Sequence, residues 1–99
     1  MKAKVKARWV AALRSGDYKQ GVCRLATDDK FCCFGVLCEL SKLPYKGNDI
    51  LPDIDVRTWS GVNFLPWVIY EGNSTSLPYL NDKVGLTFPE IADIIEAQL

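Results

Sequence analysis

Histidine is absent from this chain of 99 residues. That excludes a Ser-His-Asp triad, a Cys-His nucleophile pair, a His-ligated zinc and a histidine pH switch. Net charge is absent as well, with 12 basic residues balancing 12 acidic ones. No apolar run approaches the roughly 18 residues that a membrane helix needs. The stretch Trp9 to Leu13 is too short for the core of a signal peptide and is interrupted by Arg14. The expected setting is therefore a reducing cytoplasm, with no membrane partner.

What is present describes an ordinary folded chain. Hydrophobic residues make up 48% and charged ones 24%, too apolar for intrinsic disorder. The length accommodates one hydrophobic core, so residues 1–99 read as a single globular domain. The neutral total hides an asymmetry. Residues 1–24 carry seven cations (Lys2, Lys4, Lys6, Arg8, Arg14, Lys19 and Arg24) against Asp17 alone, a balance of +6. The remaining residues carry five basic and eleven acidic side chains, a balance of −6. Such a basic front end fits a phosphate, a nucleotide or an acidic partner, and equally a solvated helix face.

Four cysteines occur, at Cys23, Cys32, Cys33 and Cys38. They lack the paired C-x-x-C spacing of a zinc site, and the run Phe31-Cys32-Cys33-Phe34-Gly35-Val36-Leu37-Cys38 is apolar throughout. They are expected to pack as small hydrophobes, with no metal or cofactor.

Periodicity places three helices. Val5, Trp9, Ala12 and Leu13 mark an amphipathic helix over 3–14, ended by Ser15-Gly16. Residues 31–43 read as a buried central helix in which Gly35 implies a close approach by another element. Thr87-Phe88-Pro89-Glu90 is a capping box opening a third helix, with Phe88, Ile91, Ala92, Ile95 and Leu99 on its inner face. Tyr18 to Ala26 reads as extended with a bend at Gly21, and Thr27 to Lys30 as a turn. The Pro- and Gly-punctuated middle, 44–66, is irregular but apolar, with short strands expected at 54–59 and 67–70. Residues 72–76 read as a polar loop. The expected fold is a compact α+β domain of about three helices, a short β-hairpin and a loop-rich middle.

Three features carry a functional expectation, each beside a structural alternative. Arg14, Tyr18, Lys19, Gln20 and Arg24 gather three cations, an amide and a hydroxyl around Gly16 and Gly21, which suits an anion site but also a helix stop. Trp59 and Trp67 could stack on a base, or build core. Asn81 and Asp82 could contact a ribose or base, or order the turn before Gly85. The carboxylates are scattered, so no catalytic residue is assigned and the chain is read as a non-enzyme.

The segments Trp9-Val10-Ala11-Ala12-Leu13-Arg14-Ser15-Gly16-Asp17-Tyr18-Lys19-Gln20 and Phe31-Cys32-Cys33-Phe34-Gly35-Val36-Leu37-Cys38-Glu39-Leu40 resemble a family of small bacteriophage and prophage proteins. Leu80-Asn81-Asp82, Phe88, Ile91 and Ala92 fit the same pattern, while Phe34 stands where that pattern has leucine. The resemblance implies a viral setting, in which accessory proteins of this size often counter host defence. The expected function is sequestration of a small phosphorylated ligand such as a nucleotide immune signal. Arg14, Lys19 and Arg24 would bind phosphate, Gln20, Asn81 and Asp82 the ribose or base, and Trp59 or Trp67 would stack. A homo-oligomer is expected, since pairing supplies pocket walls to a short chain. The alternative is a protein–protein inhibitor of a host defence factor, which would show an exposed aromatic patch. Nucleic acid is the least favoured partner.

Overall fold

A computed structural model describes residues 1–99. Helix α1 (Ala3–Ser15) follows directly from its apolar spacing: Val5, Trp9, Val10 and Leu13 are buried, while Lys2 at its N-cap and Lys4, Lys6 and Arg8 within it face outward or lie half-buried. Gly16, at φ 79°, supplies the left-handed cap that ends it. Three strands of two residues each come next, β1 (Lys19–Gln20), β2 (Ala26–Thr27) and β3 (Lys30–Phe31). β3 is central, pairing parallel to β1 and antiparallel to β2. The expected extended run from Tyr18 is thus cut to β1, because the chain bends through 22–25 before it pairs again.

Helix α2 (Cys33–Ser41) is the buried centre, starting two residues later than the sequence implied because Phe31 belongs to β3. Trp9 of α1 stacks on Phe34 with ring centroids 5.6 Å apart and donates its indole N–H to the Cys33 carbonyl at 2.9 Å. The close approach expected at Gly35 is there: a Cβ at that position would lie 1.8 Å from the Leu25 carbonyl oxygen.

The middle of the chain departs from expectation at 54–59. Those residues form a helix, α3 (Ile54–Ser60), rather than a strand. Asp53 caps it, its carboxylate accepting from the amides of Asp55 and Val56, and Gly61 at φ 74° closes it. A capped seven-residue helix with one buried aliphatic, Val56, leaves almost no periodic trace. The expected strand at 67–70 exists as β4 (Trp67–Tyr70), and the residues read as a polar loop pair with it as β5 (Asn73–Ser76). Glu71 and Gly72, at φ 51° and 81°, form the tight turn between them. A short helix α4 (Leu77–Tyr79) runs into a π-helical turn, Leu80–Val84, which Gly85 ends.

Helix α5 (Phe88–Gln98) opens with the capping box as read from the sequence and packs along α1. Five helices and two small sheets therefore surround one core of 21 buried residues, an α+β domain with two more helices than its periodicity announces. No helix is long and apolar enough to cross a membrane.

The capping box has a pH signature. The Thr87 amide and hydroxyl hold the Glu90 carboxyl below its ordinary value. A depressed folded-state pKa contributes stability above the unfolded value, about 4.3, and loses it as pH falls through the folded one. Wild type should therefore melt above Glu90→Gln at neutral pH, with the gap closing as pH falls below about 4. Thr87→Ala should cost about 1 kcal/mol in urea unfolding.

Candidate functional site

The sequence-derived site residues fall into separate groups. Arg14 donates to Asp93 at 2.7 Å and to Glu96 at 3.1 Å, joining α1 to α5. Lys19 is paired with Asp29 at 2.7 Å across the small sheet. Arg24 faces the neutral side-chain oxygen of Asn48 at 3.3 Å. Two of the three cations are thus already answered by carboxylates, each pair raising its cation's pKa. Tyr18 packs edge-on against Phe31, 5.7 Å between centroids.

Gln20, Asn81 and Asp82 do come together, and they bind one another. The Gln20 amide donates to Asn81 at 2.9 Å and to the Leu86 carbonyl at 2.7 Å. Buried Asn81 donates to the Gly21 carbonyl at 2.9 Å and to Asp82 at 2.7 Å. This network ties β1 to the π-helical turn, so it acts as a strut within the fold. Trp59 is half-buried beneath Arg8, whose guanidinium carbon lies 6.0 Å from the ring centroid. Trp67 is 66% exposed.

The thiols divide likewise. Cys32, Cys33 and Cys38 are buried, and Cys23 is exposed at a left-handed φ of 68°, outside the expected apolar packing. No three Cys, Asp or Glu side chains converge on a metal-sized site. Burial pushes the Cys32 thiol up to about 11 and the Cys38 thiol up to about 12. Since the thiolate is the reactive form, a disulfide reagent at pH 8 should titrate one thiol per native chain and all four after denaturation.

The surface carries a feature that the sequence did not single out. Ile50, Ile54 and Phe64 are 56%, 61% and 60% exposed. With Leu51 and Pro52 they line a shallow groove of about 510 Å³ around Arg57. The Arg57 guanidinium sits 5.0 Å from the Phe64 ring centroid, and its buried Nε has no hydrogen-bond partner. Asp49 and Asp53 line this groove and also the adjacent one, to which Asp55 and Tyr45 contribute. The result is an apolar face with a cation in it and carboxylates along its edge. A signal existed in Pro52-Asp53, a helix start that puts Val56 inward and Ile54 outward once the helical phase is known.

Across the molecule, β4 shows Trp67 and the 53% exposed Ile69 on its outer face. Its free edge is covered at one point. The Gln98 carboxamide accepts from the Ile69 amide at 2.7 Å and donates to its carbonyl at 2.8 Å, as a neighbouring strand would.

The class that fold and surface define is a small α+β domain with exposed apolar faces. A family model described as Domain of unknown function (DUF8296) matches residues 1–50, half of the chain, and the protein belongs to that family. The matched part holds α1, the three-stranded sheet, α2 and Ile50, and the rest of the apolar face lies beyond it. No curated protein and no solved structure matches the chain.

Proposed function

We propose that this domain is a non-enzymatic binding protein that docks onto another protein through the face formed by Ile50, Ile54 and Phe64. The observation that carries the reading is the exposure of these three large apolar side chains around Arg57. Exposed apolar clusters with polar rims mark association surfaces, and aromatic and arginine side chains dominate their energetics. The carboxylates of Asp49, Asp53 and Asp55 beside it select a partner surface with an apolar centre and basic flanks. In the phage setting that the sequence resemblance implies, the partner is a host defence factor in the bacterial cytoplasm, where Cys23 stays reduced.

The test is affinity capture with the full chain beside two variants. One protein retained by wild type and by Arg24→Ala, but lost with Phe64→Asp, supports the reading. Retention by Phe64→Asp contradicts it. Phe64 is exposed, so its replacement leaves the core intact.

A second reading, sequestration of a small phosphorylated ligand, is favoured by Arg24, whose partner is neutral. Native mass spectrometry against cyclic nucleotides and ADP-ribose derivatives tests it. A discrete adduct lost in Arg24→Ala supports it, and a clean protein mass contradicts it.

A further inference from the structure

The largest concavity of the molecule is a groove of about 590 Å³ between the β4–β5 hairpin and the π-helical turn. It shares no lining residue with the Ile50–Phe64 face or with the sequence-derived site residues. Tyr70 and the 54% exposed Tyr79 present aromatic surface to it, Glu71 brings a carboxylate, and Asn73 and Thr75, on the same face of the hairpin as Tyr70, bring an amide and a hydroxyl. No lysine or arginine lines it.

We infer that this groove binds an uncharged ring bearing a vicinal diol, either a pyranose or the ribose of a nucleoside, with Glu71 accepting from the diol and Tyr70 and Tyr79 as stacking faces. Three observations converge on that chemistry. The first is the position of Glu71. It occupies a left-handed backbone conformation, φ 51°, imposed by a two-residue turn with Gly72, so the fold fixes its Cα at the groove's edge. A carboxylate has enough lone pairs to accept from two neighbouring hydroxyls, as acidic residues do when they hold a ribose in dinucleotide sites.

The second is the pair of tyrosines. A ring with a C–H face or a π-face gains area and dispersion against an aromatic side chain at little conformational cost. Tyr70 carries its phenolic proton in neutral solution as any tyrosine does, and partial desolvation and then the charge of Glu71 disfavour the phenolate further. It therefore offers a donor beside the Glu71 acceptor. The third is the charge of the lining. With one carboxylate and no cation, the groove repels phosphates and carboxylates and admits neutral hydroxylated rings. The π-helical turn, a rare element that recurs at functional sites, forms the opposite wall through Leu80 and Val84.

This inference stands apart from the protein-docking face, since neither surface needs the other. Its test is amide NMR titration of the full chain with adenosine and, separately, with methyl α-glucopyranoside. Saturable shifts confined to residues 70–75 and 79–84 with at least one probe are expected. Response to adenosine alone identifies a nucleoside site, and response to the glucoside alone a saccharide site. Glu71→Gln should weaken the responding probe about tenfold, as loss of a charge-assisted hydrogen bond does. If adenosine responds, 2′,3′-dideoxyadenosine should be weakened likewise. Tyr79→Ala should weaken either probe, and both side chains are exposed enough for the variants to fold. Absence of saturable shifts with both probes overturns the inference. So does dideoxyadenosine binding as tightly as adenosine, or adenosine 5′-monophosphate binding more tightly than adenosine.

Discussion

Replacing Gly35 by alanine should unfold a large fraction of the protein or leave it at the margin of stability. The added Cβ would stand 1.8 Å from the Leu25 carbonyl oxygen and 2.8 Å from the carbonyl carbon. Both are backbone atoms, so no side-chain rotation relieves the overlap. Leu25 is itself tethered: its amide donates to Asp49 at 2.8 Å and its carbonyl accepts from Cys32 at 3.3 Å. Either the loop or α2 must move, in a region where Leu25, Phe34, Val36 and Leu37 are all buried. The helix propensity gained by alanine, ~1 kcal/mol, is outweighed by an overpacking cost of about 3 kcal/mol or more. That is a large share of the 5 to 15 kcal/mol, roughly, that holds most domains folded. Gly16→Ala is the contrast. Nothing lies within 4 Å of its Cβ, so only the left-handed conformation is strained and the loss should be about 1 kcal/mol. Urea unfolding of the two variants checks both, and a Gly35→Ala midpoint close to wild type would refute the packing described for α2.

Asn81→Leu is the second large effect. Asn81 is buried, and its amide and oxygen make three hydrogen bonds, to Gln20, Gly21 and Asp82. Leucine has a similar volume but no polar atom, so the Gly21 carbonyl loses its donor and Gln20 keeps only Leu86. Leaving partly buried polar groups unpaired costs roughly 1 to 3 kcal/mol each, and the variant should lose about 3 kcal/mol. Asn81→Asp should be at least as damaging, since a carboxylate cannot donate to Gly21 and would face Asp82. Chemical denaturation of the protein without any ligand checks this. Unchanged stability would mean that Asn81 is no strut.

The parts of the fold legible in the sequence are those with a period or a cap. α1, α2 and α5 are long enough for 3.6-residue spacing to show, and Gly16 and the Thr87–Glu90 box mark their ends. Gly35 announced a close approach, although its neighbour, Leu25, is ten positions away and could not be named. What stayed hidden is short. Strands of two residues carry no alternation, and α3 buries only Val56 and Ser60, so its seven residues fit either helix or strand. β5 is Asn-Ser-Thr-Ser, whose polarity reads as a loop until Glu71 and Gly72 turn it back against β4.

Site residues were legible as types and illegible as partners. Gln20, Asn81 and Asp82 were singled out for their hydrogen-bonding capacity, and the fold does use that capacity, for one another across 61 positions of chain. Arg14 and Lys19 were singled out as free cations in a segment short of acids, but their carboxylates come from α5 and from the turn at Asp29. Ile54 and Phe64 were not singled out, because nothing in an irregular apolar middle with a strand expected at 54–59 marks which apolar side chains face outward. Their exposure depends on the phase of α3 and on Arg57 beneath Phe64, which only the tertiary structure sets.

The central claim is that the Ile50–Phe64 face is where a protein partner sits. The most direct measurement puts a photo-crosslinking phenylalanine analogue at position 64 and, in a second sample, at position 24. Both positions are exposed, and the first is already aromatic. After irradiation in a bacterial lysate, position 64 should yield one covalent adduct with a protein, competed away by unlabelled wild type but not by Phe64→Asp. Position 24 should yield none. Crosslinking from position 24 but not from 64, or adducts that Phe64→Asp competes away as well as wild type does, would contradict the account.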